Sequence, residues 1–249
     1  MQYNIITIFP ELIDSFSNIG FIKHSIKKNI ISINSIDLRK YADNKHNRVD
    51  DKSYGGGPGM VLQYEPIRKS IKNITDTGPI IYLSPQGKPL TQNKLKELAI
   101  KGNLTILCGR YEGIDQRVLD ELVDEEISLG DYVISGGETA SMVLIEGISR
   151  LIPGVVEDIE SVNQDSFQKG ILDYPHYTKP EEIDGLTIPK VLVSGNHQKI
   201  NLWRKKQALG ITWLKRPELL KKVKLSKEDD KLLKEYISEY RENEQKQHN

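Results

Sequence analysis

The stretch of sequence that best indicates the fold is LTILCGRYEG, residues 104–113. Its first half, 104–108, predicts a buried strand, and a glycine follows the strand directly. The same arrangement occurs on both sides, because PIIYL enters SPQGKP at 84–89 and EEISL enters the glycine-bearing loop 130–137. Ligands bind at the carboxyl ends of the strands in open α/β sheets, so these three loops predict a binding site.

Outward from these segments, strands alternate with helices in the first part of the chain. YNIITIF at 3–9 predicts a buried strand, and ISINSID at 31–37 alternates as a strand with one covered face does. Helices are predicted at 65–73 and 139–151, and Thr91 is placed to cap another, because its hydroxyl can accept a backbone N–H. This alternation predicts an α/β domain with a largely parallel sheet.

A different pattern follows Pro153. Residues 154–175 are acidic and lack a clear hydrophobic period, so they predict a linker. A helix is predicted from Asn196, with Gly210 at its C-terminal end, and Ser226 is predicted to cap a last helix. The C-terminal part is therefore expected to be a small helical domain.

Composition excludes several classes of protein. Cys108 is the only cysteine, so no disulfide within the chain is possible, and the 5 histidines lack the spacing of a zinc site. The sequence contains no run of about 18 apolar residues, so it predicts no membrane-spanning helix. The segment MQYNIITIFP lacks the pattern of a secretory signal. We therefore expect a cytoplasmic protein without a metal cluster or a membrane partner.

Charge is segregated along the chain, although the 35 Lys and Arg side chains balance the 35 Asp and Glu. Residues 110–138 carry 2 basic and 9 acidic side chains, whereas residues 199–227 carry 10 basic side chains and 1 acidic one. Because Lys and Arg attract phosphates, the second segment predicts contact with a nucleic acid. Trp203 and Trp213 lie within it and are predicted to belong mostly to a small core. The candidate nucleic-acid contacts are Lys199, Arg204, Lys205, Lys215 and Arg216.

The glycine cluster YGGGPGM at 54–60 is neither a Walker A loop nor a dinucleotide-binding fingerprint. No Gly-Lys-Ser/Thr follows it, and Pro58 interrupts the dinucleotide spacing. Glycines let a ligand approach the backbone closely, but a sharp structural turn has the same composition. Both interpretations stay open.

The loops at 109–113 and 130–137 could bind adenine, because glycines expose backbone donors and acceptors. Their acidic side chains, Glu112, Asp131 and Glu138, would repel a phosphate. They favour a nucleoside-like ligand, and a positively charged sulfonium would suit them. An acidic solvated face is the alternative.

Several further segments stand in a characteristic order along the chain. They are IFPE 8–11, VDDKSYGGGPGM 49–60, IYLSPQGKPL 81–90, LCGRYEGIDQRV 107–118, SLGDYVISGGE 128–138, SRLIPGV 149–155, DSF 165–167, DYPHYTKPE 173–181, LVSGNH 192–197, WRKKQALG 203–210 and TWLKRPELL 212–220. Each glycine loop alone is weak evidence, but the ordered set is specific and covers about residues 5–220. Together these segments resemble the bacterial tRNA (guanine-N1)-methyltransferases, the TrmD family of the SPOUT superfamily.

The resemblance implies a SPOUT-type methyltransferase domain with a parallel sheet and a deep trefoil knot, joined to a small helical C-terminal domain. It implies an S-adenosylmethionine-binding catalytic domain at 1–160, an interdomain linker at 161–175 and a tRNA-binding domain at 176–249. It also implies a homodimer with composite sites. The implied reaction is methylation of N1 of guanosine 37, beside the anticodon of tRNA.

The resemblance also assigns roles to individual residues. Asp165 is the implied general base and Arg150 its partner at the guanine. A magnesium requirement is implied as well, although the sequence offers no dedicated ligand cage and Glu112 is only an indirect candidate. The residues implied to bind S-adenosylmethionine are Tyr82, Leu83, Ser84, Gly109, Tyr111, Glu112, Leu129, Gly130, Asp131, Tyr132, Val133, Ile134, Gly136 and Gly137.

Two positions depart from the family pattern. Thr139 stands where the family usually has Leu, and Gln164 stands where an acid is common. Neither touches the assigned chemistry, although Thr139 could alter the fit around the cofactor. Two other functions stay open: a non-catalytic RNA-binding module, and a SPOUT enzyme acting on ribosomal RNA or another tRNA position. The segments between 173 and 220 favour the guanosine-37 family.

Overall fold

The computed structural model describes residues 1–158, 162 and 164–247. The chain divides into two compact units, Met1–Glu157 and Asp158–Asn249. Of the predicted catalytic domain and linker, residues 159–161 and 163 lie outside the described residues, as do the last two residues of the chain. None of the described helices combines the length and the apolar character of a membrane-spanning segment.

A parallel sheet forms the centre of the first unit, as the sequence predicts. Its strand order is β2-β1-β6-β5-β7, and each neighbouring pair runs parallel. A separate short hairpin pairs β3 with β4. The strands of this unit are β1 Gln2–Thr7, β2 Ser32–Asp37, β3 Asp50–Asp51, β4 Val61–Leu62, β5 Ile80–Pro89, β6 Asn103–Leu107 and β7 Glu125–Ser128.

Helices cover both faces of this sheet. Thr91 caps the fourth of them as predicted, because its hydroxyl accepts the Lys94 N–H at 3.2 Å. The sixth begins at Gly137, and Gly136 is its N-cap residue. The helices are α1 Pro10–Ser17, α2 Gly20–Lys27, α3 Tyr64–Lys72, α4 Gln92–Ala99, α5 Gln116–Leu122 and α6 Gly137–Ser149.

Both faces of β1 are buried in this arrangement, so its apolar residues point to both sides of the sheet. Tyr3 and Ile5 pack into the cluster that contains Leu144 of α6. Ile6 points to the other face and packs into the cluster that contains Ile67 of α3. Each such apolar side chain contributes about 1.5–3 kcal/mol when it is fully buried. The two clusters together hold the sheet edge that carries the candidate site.

The sequence prediction was wrong for residues 84–89, which were expected to be a loop. They belong to β5, although its pairing with β7 is interrupted, since Leu83 and Lys88 both stand opposite Ile127. Residues 84–87 therefore bulge out of the ladder. Gly87 allows this because any Cβ there would collide with the backbone of Glu126 and Ile127.

In its described residues, the second unit contains a short hairpin, a 3-10 helix at Lys190–Val193, α-helices and irregular segments. The hairpin pairs β8 Glu182–Ile183 with β9 Leu186–Thr187. Its helices are α7 His197–Lys215, α8 Pro217–Leu220 and α9 Lys227–Gln247.

The predicted helix start at Asn196 and the predicted cap at Ser226 are confirmed in this unit. The Asn196 side chain accepts the Lys199 N–H at 3.1 Å. Ser226 accepts the Asp229 N–H at 3.1 Å, while the Asp229 carboxylate accepts the Ser226 N–H at 3.0 Å. This exchange is a capping box with Asp in place of the usual Glu or Gln.

Gly210 does not end the helix, contrary to the prediction. It lies inside α7, which continues to Lys215. A Cβ at this position would collide with the ring of Tyr236 on α9. The glycine therefore serves the close packing of two helices, a reason that periodicity along α7 alone cannot reveal.

Candidate active site

A cavity of about 240 Å³ lies at the carboxyl ends of β5, β6 and β7. Ligands are expected at this edge of a parallel sheet. Three segments meet there: the bulge that follows Leu83, the segment 109–113 and the loop 129–137. The structure therefore brings together the three glycine-bearing regions that the sequence singled out.

Thirteen of the 14 residues predicted to bind the cofactor line this cavity. Asp131 is the exception, since it is exposed and does not belong to the lining. The lining residues that were predicted are Tyr82, Leu83, Ser84, Gly109, Tyr111, Glu112, Leu129, Gly130, Tyr132, Val133, Ile134, Gly136 and Gly137. Those that sequence reasoning missed are Pro85, Arg110, Gly113, Ile127, Ser128, Ser135 and Ala140. Arg110 and Ser135 lie between predicted residues, and Pro85, Gly113 and Ser128 each lie next to one, so adjacency was the available signal for these five.

Tyr82 and Gly109 meet on one wall of the cavity. A Cβ built on Gly109 would lie 2.6 Å from the Tyr82 hydroxyl, so no larger residue fits there without moving the ring. Burial, with the nearby charge of Glu126, raises the pKa of Tyr82 to about 12. The phenol is therefore neutral at physiological pH and adds no charge to the cavity.

The glycine cluster 54–60 is attached to the same region. The Glu112 N–H donates to the Met60 carbonyl at 2.9 Å, and the Leu62 N–H donates to the Gly113 carbonyl at 3.0 Å. A Cβ on Gly59, which has a φ of +79°, would collide with the Glu112 side chain. The turn thus has a structural reason for its glycine and also abuts a cavity residue.

The acidic side chains of the cavity differ in environment. Glu112 lines the cavity and is exposed. Glu138 is fully buried and accepts hydrogen bonds from Thr7 Oγ1 at 2.7 Å and from Arg110 Nε at 2.8 Å. Glu138, which was expected to repel a phosphate, pairs with Arg110 and does not line the cavity. The sequence alone does not indicate this partner, because Arg110 and Glu138 lie 28 positions apart.

Arg150 and Asp165, the predicted catalytic pair, belong to different units. Arg150 caps the C-terminus of α6 in the first unit. Asp165 lies in the second unit, where its N–H donates to the Val162 carbonyl at 3.3 Å. Both side chains are half-buried. Their assigned roles stay predictions.

The predicted nucleic-acid contacts are of three kinds. Lys199 and Lys215 are exposed. Lys205 forms an ion pair with Asp229 at 2.6 Å, and Arg216 pairs with Glu218. The remaining one, Arg204, lies over a ring of its own unit.

The guanidinium of Arg204 is 5.0 Å from the centre of the Tyr174 ring. Its Nε is buried and has no hydrogen-bond partner in the described part of the chain. The two tryptophans are half-buried: Trp203 lies 6.4 Å from the ring of Tyr177, and Trp213 lies 5.9 Å from that of Tyr240. The basic segment is therefore partly neutralised and partly packed.

No group of three or more His, Cys, Asp or Glu side chains within the described ranges could hold a metal ion. The described residues therefore form no magnesium cage.

Comparison with known proteins identifies the family. The sequence profile described as tRNA (Guanine-1)-methyltransferase TrmD matches residues 1–222. The chain belongs to this family. TrmD membership thus covers the whole first unit and much of the second.

Individual TrmD relatives match over nearly their full lengths. A Buchnera aphidicola subsp. Acyrthosiphon pisum protein named tRNA (guanine-N(1)-)-methyltransferase is 52% identical over 224 residues, which is 88% of this chain and 94% of the relative. A protein with the same name from Vibrio cholerae serotype O1 strain O395 is 48% identical over 245 residues, covering 97% and 99%. The Aliivibrio fischeri MJ11 protein is 47% identical over 247 residues, covering 98% and 99%.

Proposed function

We propose that this protein transfers a methyl group from S-adenosylmethionine to N1 of guanosine 37 in tRNA. The observation that carries the proposal is the coincidence of two findings. The chain belongs to the TrmD family, and the segments that motivated a nucleoside site from sequence alone surround one cavity.

The lining fits the adenosine part of such a cofactor. Tyr82, Leu83 and Ile127 supply apolar surface, while the glycine-bearing segments supply backbone donors and acceptors. Gly109 keeps space that a Cβ would fill. We assign cofactor binding to the predicted residues that line the cavity. The same role for Asp131 rests only on the family resemblance.

The chemistry needs a proton acceptor and a positive charge at the guanine. Guanine N1 is protonated at neutral pH and is a poor nucleophile until that proton leaves. We assign proton removal to the Asp165 carboxylate, which acts as general base. Negative charge then develops on O6, where the Arg150 guanidinium stabilises it. Bound S-adenosylmethionine supplies the electrophilic methyl group on a cationic sulfur.

The two units have different tasks in this proposal. Residues 1–160 form the catalytic domain, 161–175 the linker that carries Asp165, and 176–249 the tRNA-binding domain. The SPOUT trefoil knot, a homodimer with composite sites, a magnesium requirement and a cytoplasmic location complete the proposal, and all four rest on the family resemblance.

Mapping the transferred methyl group tests the function. The full-length protein is incubated with labelled S-adenosylmethionine and with tRNAs that carry or lack guanosine at positions 36 and 37. We expect label only on tRNA with guanosine 37, at N1. Label on ribosomal RNA or at another tRNA position would contradict the substrate, and no cofactor binding by calorimetry would favour a non-catalytic RNA-binding module.

A further inference from the structure

One feature beside the cavity has no role in the proposed chemistry: the buried ion pair between Arg110 and Glu138. Glu138 is 0% exposed and begins α6 together with Gly137, whereas Arg110 lines the cavity. The two side chains are joined at 2.8 Å. A fully buried carboxylate is costly unless it is paired and hydrogen-bonded, so this pair needs an explanation.

Arg110 connects the two segments that form the cavity. It lies in the segment 109–113, and its NH1 donates to the Ser135 carbonyl at 3.2 Å and to the Ser135 hydroxyl at 3.3 Å. The Gly137 N–H donates to the Gly109 carbonyl at 2.8 Å, beside this contact. Gly136 leaves room for the guanidinium, because a Cβ there would collide with it.

The orientation of Arg110 is fixed from three directions. Glu138 holds its Nε, Ser135 holds NH1, and the ring of Phe9 lies 4.6 Å from its guanidinium carbon. Glu138 is itself fixed by Thr7 of β1. The loop that lines the cavity is thereby connected to the core of the sheet through a chain of hydrogen bonds.

The pair also determines the net charge at the wall of the cavity. Arg110 would place a positive charge on the wall of a cavity proposed to bind a sulfonium. Glu138 cancels that charge from behind the wall without occupying the cavity. Because charges interact strongly where water is excluded, the cancellation affects cationic and neutral ligands differently.

We propose that Glu138 is a positioning residue for cofactor binding, which holds Arg110 against the loop at Ser135 and neutralises it beside the sulfonium. This inference rests on the proposed function, since it presumes that the cavity binds S-adenosylmethionine. It extends that function to residues that the resemblance did not assign.

Two ligands separate the positioning effect from the charge effect. S-adenosylmethionine carries a positive sulfur, and S-adenosylhomocysteine carries a neutral one. Their dissociation constants are measured by calorimetry at neutral pH for the parent and for three variants: Glu138→Gln, Arg110→Gln and the double variant. Melting temperatures are recorded for every protein.

We expect opposite signatures for the two single variants. Glu138→Gln leaves the Arg110 charge uncompensated. It therefore weakens the binding of S-adenosylmethionine about three- to tenfold more than the binding of S-adenosylhomocysteine. Arg110→Gln removes the hydrogen bonds to Ser135 and weakens both ligands about tenfold, without lowering the preference for the cation. The double variant carries neither charge, so the parental preference returns while both affinities stay low.

Arg68→Gln is the matched control. Arg68 forms an ion pair with Glu65 that is also 2.8 Å long, away from the cavity lining. This variant should bind both ligands as the parent does.

The outcomes separate the inference from the function on which it rests. If Glu138→Gln weakens both ligands equally, or if Arg110→Gln binds them like the parent, the inference is overturned. If Glu138→Gln fails to fold, the ligand affinities of Arg110→Gln and of the double variant test the inference instead. A parent protein that binds neither ligand would instead refute the proposed function.

Discussion

The two units of this protein hold their charged side chains in different ways. In the first unit, Arg110 and Glu138 form a pair in which 19% and 0% of the side chains are exposed, and Ser135 and Thr7 hydrogen-bond to them. In the second, the pair of Lys205 and Asp229 is more open, with 42% and 17% of the two side chains exposed. A buried charge is costly unless a partner is held at hydrogen-bond distance, whereas a charge in contact with water can exchange its partner.

The difference suits two kinds of ligand. A small cofactor needs a cavity of fixed shape, so its charges are buried and its glycines stand where a Cβ would collide. A polyanion needs cations that remain accessible, and its affinity depends on counterion release. Variants in each of the two regions test this comparison.

Asp165→Ala should have the largest effect. Removing the proposed general base leaves the guanine N1 proton without an acceptor, so we expect turnover to fall by about 10²–10⁴-fold or more. Single-turnover methylation of tRNA measures the loss, and calorimetry should show nearly unchanged cofactor affinity. A variant that methylates at the parental rate would remove Asp165 from the mechanism.

Gly109→Ala and Gly210→Ala compare the two units directly. The first places a Cβ 2.6 Å from the Tyr82 hydroxyl, so we expect cofactor affinity to fall at least about tenfold. The second forces apart Tyr236 and α7, so we expect the free energy of unfolding to fall by about 1–3 kcal/mol.

Each glycine variant is the other's control. Gly210→Ala should leave cofactor affinity unchanged, and this is measured by calorimetry beside thermal unfolding. Equal loss of cofactor affinity in both variants would show that general destabilisation, and no local clash, explains the first result.

Substitution of lysines in the basic segment tests whether its exposed charges bind tRNA. We expect Lys199→Gln or Lys215→Gln to weaken tRNA binding and to reduce the slope of log affinity against log salt by about 1 for each phosphate that the variant no longer neutralises. Lys205→Gln should have a smaller effect, because Asp229 already compensates its charge. Filter binding at several salt concentrations gives the slopes, and equal slopes for all three variants would contradict the distinction.

Asp229→Asn should have the smallest effect. Burial opposes the ionised form, but hydrogen bonds from Lys205 and Ser226 prevail and lower the pKa of Asp229. A carboxylate whose pKa falls on folding stabilises above its unfolded pKa of about 4, and the stabilisation disappears as pH falls through the lower folded value. We expect a loss of about 0.5–1 kcal/mol at pH 7 that vanishes in acid.

Urea unfolding of the parent and the Asp229→Asn variant, repeated from neutral to acidic pH, measures this difference. A difference that stays constant over the whole range would mean that the ionised carboxylate is not responsible.

Much of the fold could be predicted because its signals are local. The Thr91, Asn196 and Ser226 caps follow from side chains within three residues of the backbone groups that they bind. The five central strands follow from apolar runs, or from alternation of apolar and polar residues, beside turn residues. Errors occurred where the deciding partner is distant in sequence, as for Gly210 against Tyr236 and for the bulge opposite Ile127.

The sequence by itself determined the alternation of strands and helices, the segregation of charge and the three glycine-bearing segments, because each depends on neighbours along the chain. Only the tertiary structure decided that thirteen predicted residues line one cavity and that Glu138 faces Arg110. It also decided which basic side chains are already paired. The physical reason is that burial and pairing are properties of space: residues 28 positions apart, such as Arg110 and Glu138, meet only when parallel strands bring their loops to the same edge.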